Sequence, residues 1–265
     1  MESAEQRAVR HRRRTTFGQV AERYDRYRPR YPAELVDALV ATARLGPGSA
    51  VLEIGCGTGQ LTGLLCDRGL RVTALDVSAP MIDVARQRVA GGGVSFHVSS
   101  FEEFPVEAGS YDLVVSADAF HWVDPEVRST KTLDALRPGG WLAVIACDDR
   151  YDEPLQGVVE RMWIARSEHG GAWLRTPTPT VADEMRASGR FGAVVEAVHE
   201  WGLTRSPDEV VGLETTRATA LGWGPDGARR FARELRARVG DVRAVQLTRR
   251  AHLAMAERPA MPGGG

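Results

Sequence analysis

The stretch Val51-Leu-Glu-Ile-Gly-Cys-Gly-Thr-Gly-Gln60, followed by Leu70-Arg-Val-Thr-Ala-Leu-Asp76, constrains the fold of this chain more than any other. An apolar run closes on a loop with glycines at Gly55, Gly57 and Gly59. A helical pattern over Gln60 to Arg68 follows, and a second apolar run ends at Asp76. This is the pattern of a βαβ unit with a ligand loop at its first turn. The spacing G-x-G-x-G differs from the G-x-G-x-x-G that seats a dinucleotide pyrophosphate on a helix N-terminus. Glu53, two residues before the first glycine, would repel a diphosphate and suit a cationic or amine-bearing ligand.

The rest of the chain fits one large α/β domain with an accessory cap: 265 residues, 43% hydrophobic and 26% charged. No run of 18 apolar residues is present, so no membrane partner is expected. Met1-Glu-Ser-Ala-Glu-Gln-Arg lacks a secretion-signal core. Cys56, Cys66 and Cys147 have no metal-ligand spacing and read as reduced cytosolic thiols, so the expectation is a cytoplasmic protein without a metal. A net charge of −1 argues against bulk nucleic-acid binding. Lys131 is the only lysine, so the arginine abundance reflects codon bias rather than function.

The glycine loop with Glu53 before it and Asp76 after it resembles the class I S-adenosylmethionine-dependent methyltransferases. Three further stretches carry the resemblance. Phe17-Gly-Gln-Val-Ala-Glu-Arg-Tyr-Asp-Arg-Tyr-Arg-Pro-Arg-Tyr-Pro32 matches the form F-x-x-x-A-x-x-Y-D-x-Y-R-P-x-Y-P of trans-aconitate and ubiquinone-biosynthesis type relatives. Ser116-Ala-Asp-Ala-Phe-His-Trp122 matches S-x-x-x-F-H-W, and Leu136-Arg-Pro-Gly-Gly-Trp141 is the turn before the fifth strand. The resemblance covers residues 17–150 closely and 151–256 by architecture.

It implies a Rossmann-like, seven-stranded, mostly parallel sheet of order 3-2-1-4-5-7-6, strand 7 antiparallel, with helical cap elements. Residues 1–32 would be an arm and cofactor-covering helix, 33–150 the cofactor-binding core, 151–190 a cap insertion and 191–256 the rest of the sheet with lid helices. A disordered tail would fill 257–265. The pattern places strands at Ala50–Ile54, Arg71–Leu75, Val94–Val98, Tyr111–Ser116, Trp141–Ala146, Phe191–Trp201 and within Val242–Met255. It places helices at Ala33–Leu45, from Ser78, and over Ser129–Leu136, Asp208–Thr219 and Pro225–Val239.

For S-adenosyl-L-methionine, with S-adenosyl-L-homocysteine as product, the resemblance implies a binding set. Gly55, Cys56, Gly57 and Gly59 form the loop, with Glu53 before it. Asp76 takes the ribose diol, for which a carboxylate fork is the matching acceptor. Val77 and Met81 flank the adenosine, and Ser100 and Phe101 meet the adenine. Ser100 stands where the family commonly has an acid. Ala117 passes by the amino group through its backbone, and Phe120 belongs to the same binding set. Tyr24 and Arg28 reach the methionine end, the arginine pairing with its carboxylate. His121 is the candidate base, and Tyr27, Trp122, Trp163 and Trp173 are candidate substrate-pocket residues.

A sulfonium methyl is displaced in line from a good, neutral leaving group, so positioning and desolvation dominate catalysis. A base such as His121 matters only if the acceptor is a hydroxyl or an acidic carbon. The expected activity is O-methylation of a small metabolite or natural-product intermediate by a monomer or homodimer. N- or C-methylation, cyclisation or pericyclic chemistry with the cofactor retained, and a regulatory cofactor sensor are the other readings.

Overall fold

The computed structural model describes residues 16–89, 91–166 and 180–260. Its sheet has seven strands in the order β3-β2-β1-β4-β5-β7-β6. The strands are β1 Ala50–Ile54, β2 Arg71–Asp76, β3 Val94–Val98, β4 Tyr111–Ala117, β5 Leu136–Tyr151, β6 Val194–Arg205 and β7 Val245–Glu257. β1 to β5 are parallel, and β7 runs antiparallel between β5 and β6. The expected topology is therefore the observed one. The apolar runs of β1 and β4 are buried on both faces, as parallel strands between helical layers must be.

Leu35, Leu39, Leu61 and Leu65 from helices Ala33–Thr42 and Gln60–Cys66 pack on one face, over Val51, Val72, Leu113 and Val115. The other face buries Leu52, Leu75, Val114 and Val144 under Phe101, Phe120, Val123 and Met185. A third core joins the far ends of β5 and β7 to helices Leu155–Ile164, Pro207–Thr215 and Gly224–Val239. Phe231, Leu235 and Val239, spaced by four along the last of these helices, form its buried stripe.

Several element ends differ from the sequence reading. The helix placed at Ser129–Leu136 begins at Pro125, because the Asp124 side chain caps it by accepting from Glu126 N. β5 continues to Tyr151, since its partner β7 supplies register pairs as far as Tyr151↔Leu247. β6 and β7 start and end later than expected, again through their mutual pairing. The single helix expected at Asp208–Thr219 is two, Pro207–Thr215 and Ala218–Gly222. The Phe17–Tyr27 segment is a short 3-10 turn, Thr16–Val20, running into helix Ala21–Tyr27. Residues 1–15, 167–179, with Trp173, and 261–265 lie outside the described residues. No helix among the described residues is long and apolar enough to cross a membrane.

Candidate functional site

Gly55, Gly57 and Gly59 all take positive φ (71°, 56° and 80°), a region that costs a residue with a Cβ about 1–2 kcal/mol. Their tasks nevertheless differ. A Cβ on Gly55 would sit 2.3 Å from Ala119 Cβ, so this glycine admits the chain leaving β4. A Cβ on Gly59 would press on Ala85 and Val89, so this one admits helix Ala79–Arg88. A Cβ on Gly57 would meet nothing within 4 Å, because Gly57 borders a cavity.

That cavity lies beyond the carboxyl ends of β1, β2 and β4, where open α/β sheets bind ligands. Asp76 stands at its side. One carboxylate oxygen of Asp76 accepts from Gly57 N and the other from Ser78 N, both at 2.9 Å, which fixes the fork and leaves each oxygen a further lone pair. Burial raises the Asp76 pKa against these backbone hydrogen bonds, which lower it. Val77, Met81, Ser100, Phe101, Ala117, Tyr24 and Trp122 also line the cavity, so the structure brings these sequence candidates together with Gly55, Gly57 and Asp76. Phe17 completes the cover, edge-on to Tyr24 at 5.7 Å and to Trp122 at 6.4 Å between centroids.

Other candidates are placed elsewhere. Glu53 lies behind the loop, 2% exposed, accepting from Thr62 Oγ1 at 2.6 Å; desolvation, with Asp76 adding to it, raises its pKa to about 7. Cys56 and Phe120 belong to the two cores flanking the sheet. Gly59 serves helix packing, as above. The Arg28 guanidinium lies over the Tyr24 ring at 4.9 Å and gives Nη2 to Thr216 O at 3.0 Å, and its buried Nε has no partner among the described residues. Tyr27 turns away from the cavity onto Gly212, where a Cβ would meet its ring at 2.4 Å. Trp163 is buried against Trp223 and Phe231 and donates Nε1 to Glu214 at 2.9 Å. His121 lies beside Trp122, ring centroids 4.6 Å apart, and is not among the residues that line the cavity; desolvation lowers its pKa, with the nearby Asp118 opposing.

Asp118 is the residue that sequence reasoning passed over, although it lies inside the quoted S-x-x-x-F-H-W run. It lines the cavity in a left-handed conformation (φ 54°), sparsely populated for a residue with a Cβ. Oδ1 accepts from Cys147 N at 2.7 Å. Oδ2 accepts from Arg249 Nη2 at 3.0 Å and from Tyr31 OH at 3.4 Å. An acid as the first residue after β4 was the available signal. The phenols of Tyr24 and Tyr31 are held neutral by burial, which raises both pKa values. No group of three or more metal-ligating side chains occurs among the described residues.

Comparison with known proteins agrees with this geometry. A methyltransferase-domain family profile matches residues 52–144. An uncharacterized methyltransferase of Mycobacterium tuberculosis is 32% identical over 217 residues, 78% of each chain. A malonyl-[acyl-carrier protein] O-methyltransferase of Priestia megaterium is 41% identical over 96 residues, 35% of each. Among solved structures, a proposed type II methyltransferase from Anaeromyxobacter dehalogenans superposes with TM-score 0.64 at 25% identity, covering 89% of this chain and all of its own.

Proposed function

We propose that this chain, which belongs to the class I S-adenosylmethionine-dependent methyltransferases, holds its cofactor in the cavity beside Gly57 and Asp76 and methylates an oxygen of a small molecule. The observation that carries this reading is the Asp76 carboxylate, which lines the cavity and pairs with no basic side chain among the described residues. Buried carboxylates without a counter-ion are costly, and a cationic ligand relieves that cost. The space beside Gly57 admits such a ligand against the backbone, and the unpartnered Nε of Arg28, next to Tyr24, fits its carboxylate end.

Bound there, S-adenosylmethionine supplies a methyl carbon on a cationic sulfur, with a neutral thioether as the leaving group. Asp76 orients the ribose; Phe17, Tyr24 and Trp122 exclude water above it. Asp118, locked by Cys147 N and Arg249, keeps a fixed negative charge at the β4 end of the cavity. A carboxylate acceptor attacks through an oxygen lone pair, so no proton has to leave. That suits a cavity whose lining does not include His121. The malonyl-carrier O-methyltransferase among the relatives supports an oxygen acceptor.

The test is incubation with methyl-deuterated S-adenosylmethionine and a set of small acids, phenols and amines, read by mass spectrometry. The expected product is an acid or phenol carrying one labelled methyl on oxygen. Label on nitrogen or carbon, or an isomerised substrate without label, would replace the oxygen assignment.

A further inference from the structure

Among the described residues, Arg44 and Asp118 alone take a positive φ without being glycine. Arg44 follows helix Ala33–Thr42, and a left-handed residue is a common way to end a helix. Asp118 has no helix to end. It comes directly after β4, and its left-handed turn (φ 54°) takes the chain along the cofactor cavity instead of onward with the strand. Asp118 N still donates to Ile145 O at 2.8 Å, so the departure from the sheet begins at this residue. Ala119, Trp122 and Val123, which line the cavity on that side, come after the turn, and their places depend on it.

A left-handed residue with a Cβ persists only where its surroundings hold it, and such residues gather at ligand sites. Three groups hold the Asp118 side chain. Oδ1 accepts from Cys147 N on β5, and Oδ2 accepts from Tyr31 OH and from Arg249 Nη2 on β7. Arg249 is the one charged member and is 3% exposed. It is fixed in turn from behind. Its Nη1 meets both oxygens of Asp149, 2% exposed, at 2.9 and 3.1 Å. Asp149 Oδ2 also accepts from Arg217 Nη2 at 3.3 Å, and Arg217 grips Glu214 through Nε and Nη2 at 2.9 and 3.1 Å. A buried chain of charges is a poor device for stability, since well-packed apolar side chains of the same volume do as well or better. What it supplies is direction. The planar guanidinium gives one Nη to each carboxylate, and it cannot turn towards Asp149 without leaving Asp118.

We infer that Arg249 is a positioning residue for the cofactor: from β7, without lining the cavity, it holds Asp118 in the left-handed turn that shapes the wall of the site after β4. The inference rests on the cofactor reading of that cavity and adds to it a residue 131 positions from Asp118 in the chain. A site whose wall is fixed before the ligand arrives spends less of its binding energy on ordering itself. Loss of the arginine therefore reads out as lost cofactor affinity in a protein that still folds.

The experiment is calorimetric titration of the full chain with S-adenosylhomocysteine across a double-mutant cycle. Asp118→Gly and Asp118→Ala both delete the carboxylate, but only glycine takes a φ of 54° freely. The alanine variant should bind about tenfold more weakly than the glycine variant, the factor that left-handed strain corresponds to. Arg249→Gln/Asp149→Asn removes the buried pair without stranding a charge. It should weaken binding about tenfold when Asp118 is intact, and by less than about twofold when added to Asp118→Gly, where the arginine has nothing left to hold. Charge alone gives the opposite sign, because an Asp118 carboxylate relieved of its arginine attracts the ligand's ammonium more strongly. Melting curves accompany each titration. If the pair-removed protein does not melt as one transition, Arg249→Lys takes its place with the same expectation, since one ammonium cannot serve both carboxylates as the fork does. Equal affinities for the two Asp118 variants, tighter binding on loss of the pair, or the same loss with and without Asp118 would overturn the inference and leave the cofactor reading standing. A wild type that binds no S-adenosylhomocysteine would overturn both.

Discussion

Gly55 and Ala119 approach so closely that a methyl group added to Gly55 would lie 2.3 Å from the Ala119 Cβ. The glycine loop and the chain leaving β4 are thus one packed unit, and the position of Asp118, the residue before Ala119, depends on Gly55 having no side chain. Gly55→Ala combines an unfavourable φ of 71° with an overpacked contact, and is expected to lose about 2–4 kcal/mol of stability in denaturant melts. Gly57→Ala has only the strain, about 1–2 kcal/mol, but narrows the cavity, and should lose S-adenosylhomocysteine affinity out of proportion to stability. Equal effects of the two variants on stability would contradict this division of labour.

Asp76 both faces the cavity and ties Gly57 N and Ser78 N. Asp76→Ala removes the ribose acceptor and the two anchors of the loop, and should weaken cofactor binding by about 1–3 kcal/mol or more in calorimetry. Asp76→Asn keeps one acceptor oxygen and should fall between. An unchanged dissociation constant for the alanine variant would sink the ribose role.

Glu53 provides a pH signature. Its folded pKa, about 7, lies above the ordinary 4.5, so the fold favours the protonated acid. The stability this confers is complete below about pH 4.5 and is lost as pH rises through 7, an amount of about 3 kcal/mol by linkage. Glu53→Gln keeps an acceptor for Thr62 and removes the titration. In the cofactor-free protein, its stability relative to wild type should therefore improve steadily from pH 5 to pH 8. A difference that does not change with pH would show that Glu53 ionises normally.

His121 lies beside Trp122 and is not among the residues that line the cavity. His121→Ala should therefore alter kcat/KM by less than about fivefold and leave the pH–rate profile unchanged in shape. A general base contributes about 10²–10⁴. A loss of that size with normal cofactor affinity would restore the imidazole to the reaction.

Arg28 joins the N-terminal cover to the cap through Thr216 O, and Arg23 does the same through Thr215 Oγ1 at 2.9 Å. Arg28→Ala should speed cofactor dissociation in stopped-flow measurements by about tenfold, the equivalent of roughly 1.4 kcal/mol. Arg23→Ala breaks the same junction farther from the cavity and should have a smaller effect. The reverse order would place the cofactor contact elsewhere.

The βαβ unit and its ligand loop were legible because their signals are local, whereas the strand order and most of the cavity lining came with the family resemblance. Turn glycines, apolar runs and the N-cap at Ser78 each depend on residues a few positions apart. Glu53 and Arg28 were placed at the cofactor by their motifs, and the structure puts the first behind the loop and the second at the edge of the cover. Trp163 and Tyr27 were read as substrate-pocket aromatics; neither lines the cofactor cavity, though Trp163 lines a cleft beside the end of β5. Which way a ring on a cap helix points depends on the helix it packs against, and Phe231 and Gly212 are distant in the chain.

By itself the sequence determined the ligand loop, its paired acids and the strands and helices around them, since hydrophobic period and turn chemistry act over a few residues; the order of the strands came with the family resemblance. Only the tertiary structure decided the charged chain from Asp118 to Arg217. Its centre is the antiparallel register of β5 and β7, in which Asp149 and Arg249 are direct partners although 100 residues apart. A slip of one residue would turn either side chain to the opposite face of the sheet. No local pattern records that register; the packing of β7 between two neighbours sets it.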